Sequence, residues 1–160
     1  MQRQMLKSKI HRATITDCDV DYVGSITLDP ALMRQADLLA NEQVHVWDIE
    51  NGARFVTYAI EGDEGSGTVQ VNGAAARLVR TGDKVIIASF GAFDENDLER
   101  YSPVVVHVND DNEVTAVDSD PSVLLGEDVI RGGPDDARAR DSATREMGQE
   151  PPDSSEEALL

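Results

Sequence analysis

The 160-residue chain contains one cysteine, few aromatic residues and no long apolar run. A single cysteine, Cys18, excludes a disulfide within the chain and is typical of a reducing compartment. No segment approaches the length of a transmembrane helix, and the N-terminal MQRQMLKSKIH lacks the apolar stretch of a signal peptide. We therefore expect a cytoplasmic protein without membrane association.

Basic residues are also scarce, and the net charge is −17. Because phosphate repels such a chain, nucleic acid is not expected as a partner. The three histidines and one cysteine show no metal-ligand spacing, and no glycine-rich phosphate loop is present. Cys18 lies between Asp17 and Asp19, whose charges raise the pKa of the thiol and make it a poor nucleophile.

The acidic excess is concentrated towards the C-terminus, where residues 94–160 carry 5 Lys or Arg against 19 Asp or Glu. From Gly126 onward the chain has no aromatic residue, little apolar content and many Gly, Pro, Ser and charged positions. Such a segment cannot bury enough surface to offset the entropy lost on ordering. We predict one folded domain over residues 1–118 and an acidic, disordered tail over 119–160.

The predicted domain carries mostly β signals. Asp29-Pro30 is typical of a helix N-terminus and predicts a helix through about Asn41, while Asn51-Gly52 marks a hairpin turn. A further short helix is predicted over 94–101. Runs rich in β-branched residues predict strands over 9–16, 44–50, 53–61, 68–71, 84–90, 104–108 and 113–117. Many short strands with polar turns favour a small closed barrel, and Trp47 is expected in its core.

The pair Gly24-Ser25 interrupts the strand-like run DYVGSIT. A glycine at such a place indicates a bulge, a tight turn or a close backbone approach. Taken alone, the pair is better explained as a simple turn between two strands, since Gly-Ser is common in loops, and the same dipeptide recurs at Gly65-Ser66. The pair alone therefore does not identify a site.

Two strands carry candidate functional side chains. Strand alternation places Lys9 and His11 on one face of the first strand, and Arg54 and Tyr58 on one face of another. Taken singly, each also has an ordinary explanation as a surface charge or a packing residue. The residues form a site only if the two strands meet.

Six segments, in this order and spacing, resemble pyruvoyl-dependent aspartate 1-decarboxylase: MLKSKIHRATIT, DYVGSIT, NGARFVTYAI, GSG, VNGAAARL and GDKVIIASF. The resemblance runs from about Met5 to Phe90, and more loosely to about Val117. It implies a six-stranded double-psi β-barrel that assembles as a homotetramer with active sites near subunit contacts. The implied reaction converts L-aspartate to β-alanine and CO₂, supplying β-alanine for pantothenate and coenzyme A biosynthesis.

The resemblance also implies a precursor that cuts itself between Gly24 and Ser25, giving a β chain of residues 1–24 and an α chain of residues 25–160. Ser25 Oγ attacks the carbonyl of Gly24, and Ser25 becomes an N-terminal pyruvoyl group. Glycine is expected to suit position 24 because it tolerates strain and has no Cβ to block the approach. The pyruvoyl group forms a Schiff base with L-aspartate and accepts its electrons, with no metal or pyridoxal phosphate.

Individual roles follow from the resemblance as well. Thr57 assists self-cleavage. The implied catalytic residues are Ser25, which becomes the pyruvoyl group, and Tyr58, which is the proton donor. The implied substrate-binding residues are Lys9, His11, Tyr22, Arg54, Thr57, Asn72, Gly73, Ala74 and Ala75. Because alternation places Thr57 opposite Arg54 and Tyr58, we expect irregular geometry there or a site that spans two faces.

Two alternatives remain beside this hypothesis. The chain could be a non-catalytic double-psi barrel that uses its acidic tail to recruit a basic partner, since the fold alone does not determine activity. It could also be a pyruvoyl decarboxylase for another amino acid, although two cations in the site favour a dicarboxylic substrate. The sequence does not identify an activating or regulatory protein.

Overall fold

The computed structural model describes residues 1–122, of which Met1–Pro121 form one compact unit. Within these residues the secondary structure is mainly β, as predicted. The strands are β1 (Arg3–Thr14), β2 (Asp17–Asp19), β3 (Ser25–Leu28), β4 (Gln43–Asp48), β5 (Arg54–Glu61), β6 (Val69–Asn72), β7 (Lys84–Phe93), β8 (Val104–Val108) and β9 (Val114–Asp118). Two short α-helices, α1 (Pro30–Gln35) and α2 (Glu95–Leu98), and a 3-10 helix (Gly73–Arg77) complete the unit.

The strands form one mixed sheet in the order β2-β6-β3-β5-β4-β7-β1-β8-β9. Strands β1 and β2 follow each other in the chain, yet β1 pairs with β7 and β2 pairs with β6. Between them, the Thr16 N–H donates to the Val69 carbonyl at 2.8 Å, and the Val69 N–H donates to Thr16 Oγ1 at 3.0 Å. This connection joins the two sides of the sheet, so the six strands from β6 to β1 close into the expected barrel.

Alternating apolar side chains fill the barrel. On β4, on β6 from Val69 to Val71 and at the start of β7, every second residue is buried, which is the pattern of strands with one face on a core. The helix α1 adds two more buried side chains to the same cluster. The largest fully buried residues are Ile10, Ile15, Ile26, Leu28, Leu32, Met33, Val44, Val46, Val69, Val71, Val85 and Ile87.

Helix α1 begins as predicted but ends earlier. Asp29 caps it by accepting from the Ala31 N–H at 2.8 Å, and Pro30 occupies the first turn. The predicted extension to Asn41 is wrong. Asp37 and Asn41 adopt positive φ values of 49° and 70°, a conformation that cannot continue a right-handed helix.

Other local predictions have mixed outcomes. The Asn51-Gly52 hairpin turn is present, with Gly52 at φ 76°. The first strand is longer than predicted and begins at Arg3. Trp47 is only half-buried and lies outside the core cluster, because β4 directs Val46 and Asp48 inward and Trp47 to the other face. Within residues 1–122 we find no helix that is both long and apolar enough to cross a bilayer.

The predicted acidic tail over 119–160 falls almost entirely outside the described residues. The division into a domain over 1–118 and a tail therefore stays a prediction.

Candidate active site

Ser25 lies at the first position of β3 and is 1% exposed. Its hydroxyl donates to the Val23 carbonyl at 3.0 Å and accepts from Asn72 Nδ2 at 3.0 Å. A buried hydroxyl held by one donor and one acceptor has a defined rotamer and a defined proton position. The hydroxyl oxygen of Ser25 is therefore held in one position next to the peptide bond that joins Gly24 to Ser25.

The second Gly-Ser pair has a different environment. Gly65 adopts φ 76° in an exposed turn between β5 and β6, and Ser66 is exposed. The Ser66 hydroxyl donates to the Asp63 carbonyl at 2.6 Å, a local bond that is typical of turns. Of the two serines, only Ser25 combines burial with a hydrogen bond from a distant strand.

Asn72 organises the surroundings of Ser25. It is fully buried, and besides Ser25 Oγ its Nδ2 also donates to Thr27 Oγ1, at 2.9 Å. Its side-chain oxygen accepts from Gln70 Nε2 at 2.8 Å. The antiparallel register of β3 and β6 pairs Ser25 with Asn72 and Thr27 with Gln70. All four side chains therefore project from one face of this strand pair.

Gly73 packs directly on the peptide that precedes Ser25. It has φ 69°, and a Cβ added to it would lie 2.7 Å from Gly24 Cα and 3.0 Å from Gly24 N. At Gly24 itself an added Cβ meets no atom within 4 Å. The close approach of the two backbones therefore depends on the missing side chain of Gly73. The expected advantage of glycine at 24 for attack by the neighbouring Ser25 stays a prediction.

Strand β5 lies on the other side of β3. The parallel register pairs Ile26 with Ala59, which brings the preceding residues of β5, Thr57 and Tyr58, alongside Ser25. The pairing of β5 with β4 is regular from Arg54 to Tyr58, so the irregular geometry considered for this stretch is absent. Thr57 shares the face of Ala59, which is fully buried, and Tyr58 lies on the opposite face.

Lys9 and His11 lie elsewhere in the barrel, because β1 and β3 are not neighbours in the sheet. The Lys9 ammonium donates to the Pro121 carbonyl at 3.0 Å. Burial lowers the pKa of Lys9, and the charges of Asp118 and Asp120 oppose this effect. The His11 ring lies 5.7 Å from the ring of His107 in an edge-to-face arrangement.

The remaining predicted residues are more exposed. The Arg54 guanidinium lies 5.1 Å from the centre of the Trp47 ring, in a cation–π arrangement. Tyr22 is 51% exposed in the loop before β3. Ala74 is exposed and Ala75 half-buried in the 3-10 helix that follows β6.

A single chain thus brings together only part of the predicted site. Ser25, Gly24, Asn72 and Gly73 are in contact or hydrogen-bonded, with Thr57 and Tyr58 on the adjacent strand. Lys9 lies on β1, and Arg54 lies at the first position of β5, before the residues of that strand that pair with β3. Sequence reasoning missed Gln70 and Thr27, although alternation places each on the face of a predicted residue two positions away.

Cys18 is the other side chain that was considered as a nucleophile from the sequence. It is a free thiol. Burial raises its pKa, and the charges of Asp17 and Asp83 raise it further, while a hydrogen bond with Thr81 opposes them. The thiol is therefore a poor nucleophile, as expected. Across the part of the chain that the structure describes, no cluster of His, Cys, Asp and Glu side chains could hold a metal ion.

Comparison with known proteins gives consistent results. A family model described as aspartate decarboxylase matches residues 1–115. A curated aspartate 1-decarboxylase from Thermoanaerobacter pseudethanolicus is 55% identical over 113 residues, which cover 71% of this chain and 97% of the relative. Another from Mycolicibacterium smegmatis is 54% identical over 122 residues, 76% of this chain and 90% of the relative. Among solved structures, the computationally designed msDPBB_sym2 protein aligns with 54% of this chain and 99% of its own at 20% identity and a TM-score of 0.37.

Proposed function

The chain belongs to the aspartate decarboxylase family, and from this membership we infer that it decarboxylates L-aspartate to β-alanine and CO₂. Both relatives carry the name aspartate 1-decarboxylase, and the chain covers nearly their whole length. The residues that the resemblance marked lie within the matched region 1–115. The enzyme is a carboxy-lyase that supplies β-alanine for pantothenate and coenzyme A biosynthesis.

We propose that the chain is a precursor that cuts itself between Gly24 and Ser25. The observation that carries this proposal is the buried Ser25 hydroxyl, held by Val23 and Asn72 beside a peptide on which Gly73 packs. Ser25 Oγ attacks the Gly24 carbonyl carbon, and the Ser25 nitrogen leaves and takes up the hydroxyl proton. Gly24 is then joined to Ser25 by an ester.

Loss of the Ser25 α-proton and cleavage of its Cβ–O bond release Gly24 as a carboxylate. Water replaces the Ser25 nitrogen as ammonia departs, and the α chain begins with a pyruvoyl group. The residues present fit this group, because it is smaller than the serine from which it forms and Asn72 offers a buried amide donor beside it. When formed, the pyruvoyl group supplies a ketone that binds the substrate amine and accepts the electrons released with CO₂.

Thr57 and Tyr58 have separate proposed roles. A hydroxyl donor near the Gly24 carbonyl stabilises the charge that develops on its oxygen during cleavage, and we assign this role to Thr57. Tyr58 delivers the proton that replaces CO₂, since a phenol can act as an acid while neutral at physiological pH. The alignment of β5 with β3 supports both assignments, because Ile26 pairs with Ala59 and Thr57 and Tyr58 directly precede Ala59.

The substrate carboxylates require cations. We propose that Arg54 binds the β-carboxylate, because that group keeps its charge throughout the reaction. A tight ion pair with the departing α-carboxylate would stabilise the ground state more than the transition state. Lys9, His11 and Tyr22 line the same site, and the turn formed by Asn72, Gly73, Ala74 and Ala75 brings the main chain close to the substrate.

We propose that the working enzyme is a cytoplasmic homotetramer. In one chain β1, which carries Lys9, is not a neighbour of β3 in the sheet, as expected if a neighbouring subunit completes each site. Apolar side chains on the outer barrel support an interface, since Val56 and Phe90 are 55% and 39% exposed.

The reaction is tested by incubating purified protein with L-aspartate and measuring β-alanine and CO₂. The variant Ser25→Ala should produce neither, because no pyruvoyl group can form. The matched control Ser66→Ala changes the serine of the other Gly-Ser pair and should keep full activity. Wild-type protein that releases no β-alanine would favour a non-catalytic barrel, and release of CO₂ from another amino acid alone would change the substrate.

A further inference from the structure

The amide of Asn72 faces Ser25 in one of two possible orientations. In the structure both of its hydrogens are used, one for Ser25 Oγ and one for Thr27 Oγ1. A reversed amide would direct its carbonyl oxygen at Ser25. The two orientations fill the same space, so hydrogen-bond partners decide between them.

Gln70 supplies the deciding contact. Its Nε2 donates to Asn72 Oδ1 at 2.8 Å, and the two residues project from the same face of β6. With Gln70 oriented in this way, a reversed Asn72 would set its own amide hydrogens against those of Gln70, and this contact would be repulsive. If both amides reversed, the one hydroxyl hydrogen of Ser25 would face two acceptors, Asn72 Oδ1 and the Val23 carbonyl, and one of these bonds would be lost. The half-buried position of Gln70 limits replacement of the bond by water.

The orientation matters for the chemistry of Ser25. As its hydroxyl loses a proton, negative charge builds on Oγ, and a donor stabilises that charge. A carbonyl oxygen at the same place would repel the charge and compete for the hydroxyl proton. The donor orientation of Asn72 therefore favours attack on Gly24, and the reversed orientation opposes it.

We propose that Gln70 is a positioning residue for self-cleavage, which holds Asn72 with its amide hydrogen on Ser25 Oγ. This proposal rests on the proposed cut at Gly24-Ser25. Gln70 touches neither reacting atom and acts only through Asn72. Gln70 therefore affects the rate of self-cleavage, and it is not among the site residues predicted from the sequence.

The test uses Gln70→Glu, which keeps the size of the side chain. A carboxylate cannot donate to Asn72 Oδ1 but attracts its amide hydrogens, so it favours the reversed orientation. A protonated glutamic acid donates again. Cleavage of freshly synthesised full-length chain is followed by intact mass from pH 8 to pH 5, as the ratio of the variant rate to the wild-type rate.

At pH 8 we expect the Gln70→Glu rate to be roughly tenfold below wild type, the effect of one hydrogen bond. The ratio should rise as pH falls towards the glutamate pKa of about 4.3. Gln70→Met, which can neither donate nor titrate, should cut slowly with a ratio that does not change with pH. Gln35→Glu adds the same charge at the exposed end of α1 and should cut at the wild-type rate.

The outcomes separate the two proposals. If wild type cuts and Gln70→Glu matches it at every pH, the role of Gln70 is refuted while self-cleavage stands. Equal slowing by Gln70→Glu and Gln35→Glu would also refute it, because charge alone would then explain the effect. If wild type never cuts, both proposals fail. Thermal unfolding of each glutamate variant on the uncut Ser25→Ala background checks that the chain is folded at the assay temperature. A Gln70→Glu chain that is unfolded there would indicate a structural role and refute the positioning role.

Discussion

Replacing Gly73 by alanine places a methyl group against the peptide that is to be cut. The added Cβ would lie 2.7 Å from Gly24 Cα, whereas ordinary contacts begin at 3.4 Å. The Cβ is fixed by the backbone of residue 73 and Gly24 Cα is itself a backbone atom, so no side-chain rotation can relieve the contact. Relief of the contact requires the chain at Gly24 to move by about 0.7 Å relative to Gly73.

Such a movement changes the approach of Ser25 Oγ to the Gly24 carbonyl. A misplacement of about 1 Å can reduce the rate of a positioned reaction by about 10²-fold. We therefore expect Gly73→Ala to cut about 10- to 100-fold more slowly than wild type. The assay is the fraction of uncut chain over time on a denaturing gel.

Alanine at Gly73 also carries the penalty of its positive φ, about 1–2 kcal/mol of stability. Gly65→Ala is the matched control, because Gly65 has φ 76° and an added Cβ there meets no atom within 4 Å. It should lose similar stability and cut normally. If Gly73→Ala cut as fast as Gly65→Ala, the packing of Gly73 on Gly24 would have no role in cleavage.

Three further substitutions test separate parts of the account. Tyr58→Phe should cut normally but lose about 10²–10⁴-fold in turnover, as measured by β-alanine release, and loss of cutting as well would indicate a structural role. Arg54→Lys should mainly raise KM for L-aspartate, roughly tenfold, and weaken discrimination against substrates without the second carboxylate; an unchanged KM would contradict the assignment. Asp29→Asn should reduce the free energy of unfolding by about 1–3 kcal/mol, because an amide cannot accept from the backbone N–H groups of Ala31, Gly65 and Gly67 together. Burial raises the pKa of Asp29, but these three donors lower it below its usual value. The contribution of Asp29 to stability is therefore complete above the unfolded pKa of about 3.9 and is lost as pH falls through the lower folded pKa. The difference in melting temperature between wild type and variant should accordingly shrink as pH falls from 7 to 2, and a difference that stays constant would contradict this role.

Local signals in the sequence predicted most of the strands. Alternating apolar residues, as in Val44 and Val46, determine which face of a strand is buried, and Asn51-Gly52 determines a turn through its own backbone preference. Both depend on residues that are close in the chain. Trp47 was misplaced because size alone does not decide burial, and the pattern of β4 places it on the outer face.

The contacts around Ser25 could not be predicted in the same way. Asn72 is 47 positions from Ser25 in the chain, and the bond between them depends on the pairing of β6 with β3. The close approach of Gly73 to Gly24 arises from the same pairing. The resemblance identified these residues as a set, but only the pairing shows which atoms meet.

The separation of Lys9 from Ser25 was also not predicted. Alternation correctly gave the shared face of Lys9 and His11, but not which strands lie beside β1. In the sheet these are β7 and β8, while β3 lies between β5 and β6.

The central claim is that Ser25 becomes the reactive group of the enzyme by cutting its own chain. The most direct test is an intact-mass measurement of purified wild-type protein. The account predicts two chains, residues 1–24 with a free carboxyl end and residues 25–160 lighter by one ammonia than a chain that begins with serine. One uncut chain in protein that nevertheless converts L-aspartate to β-alanine, or an α chain with an ordinary serine at its start in such protein, would contradict it.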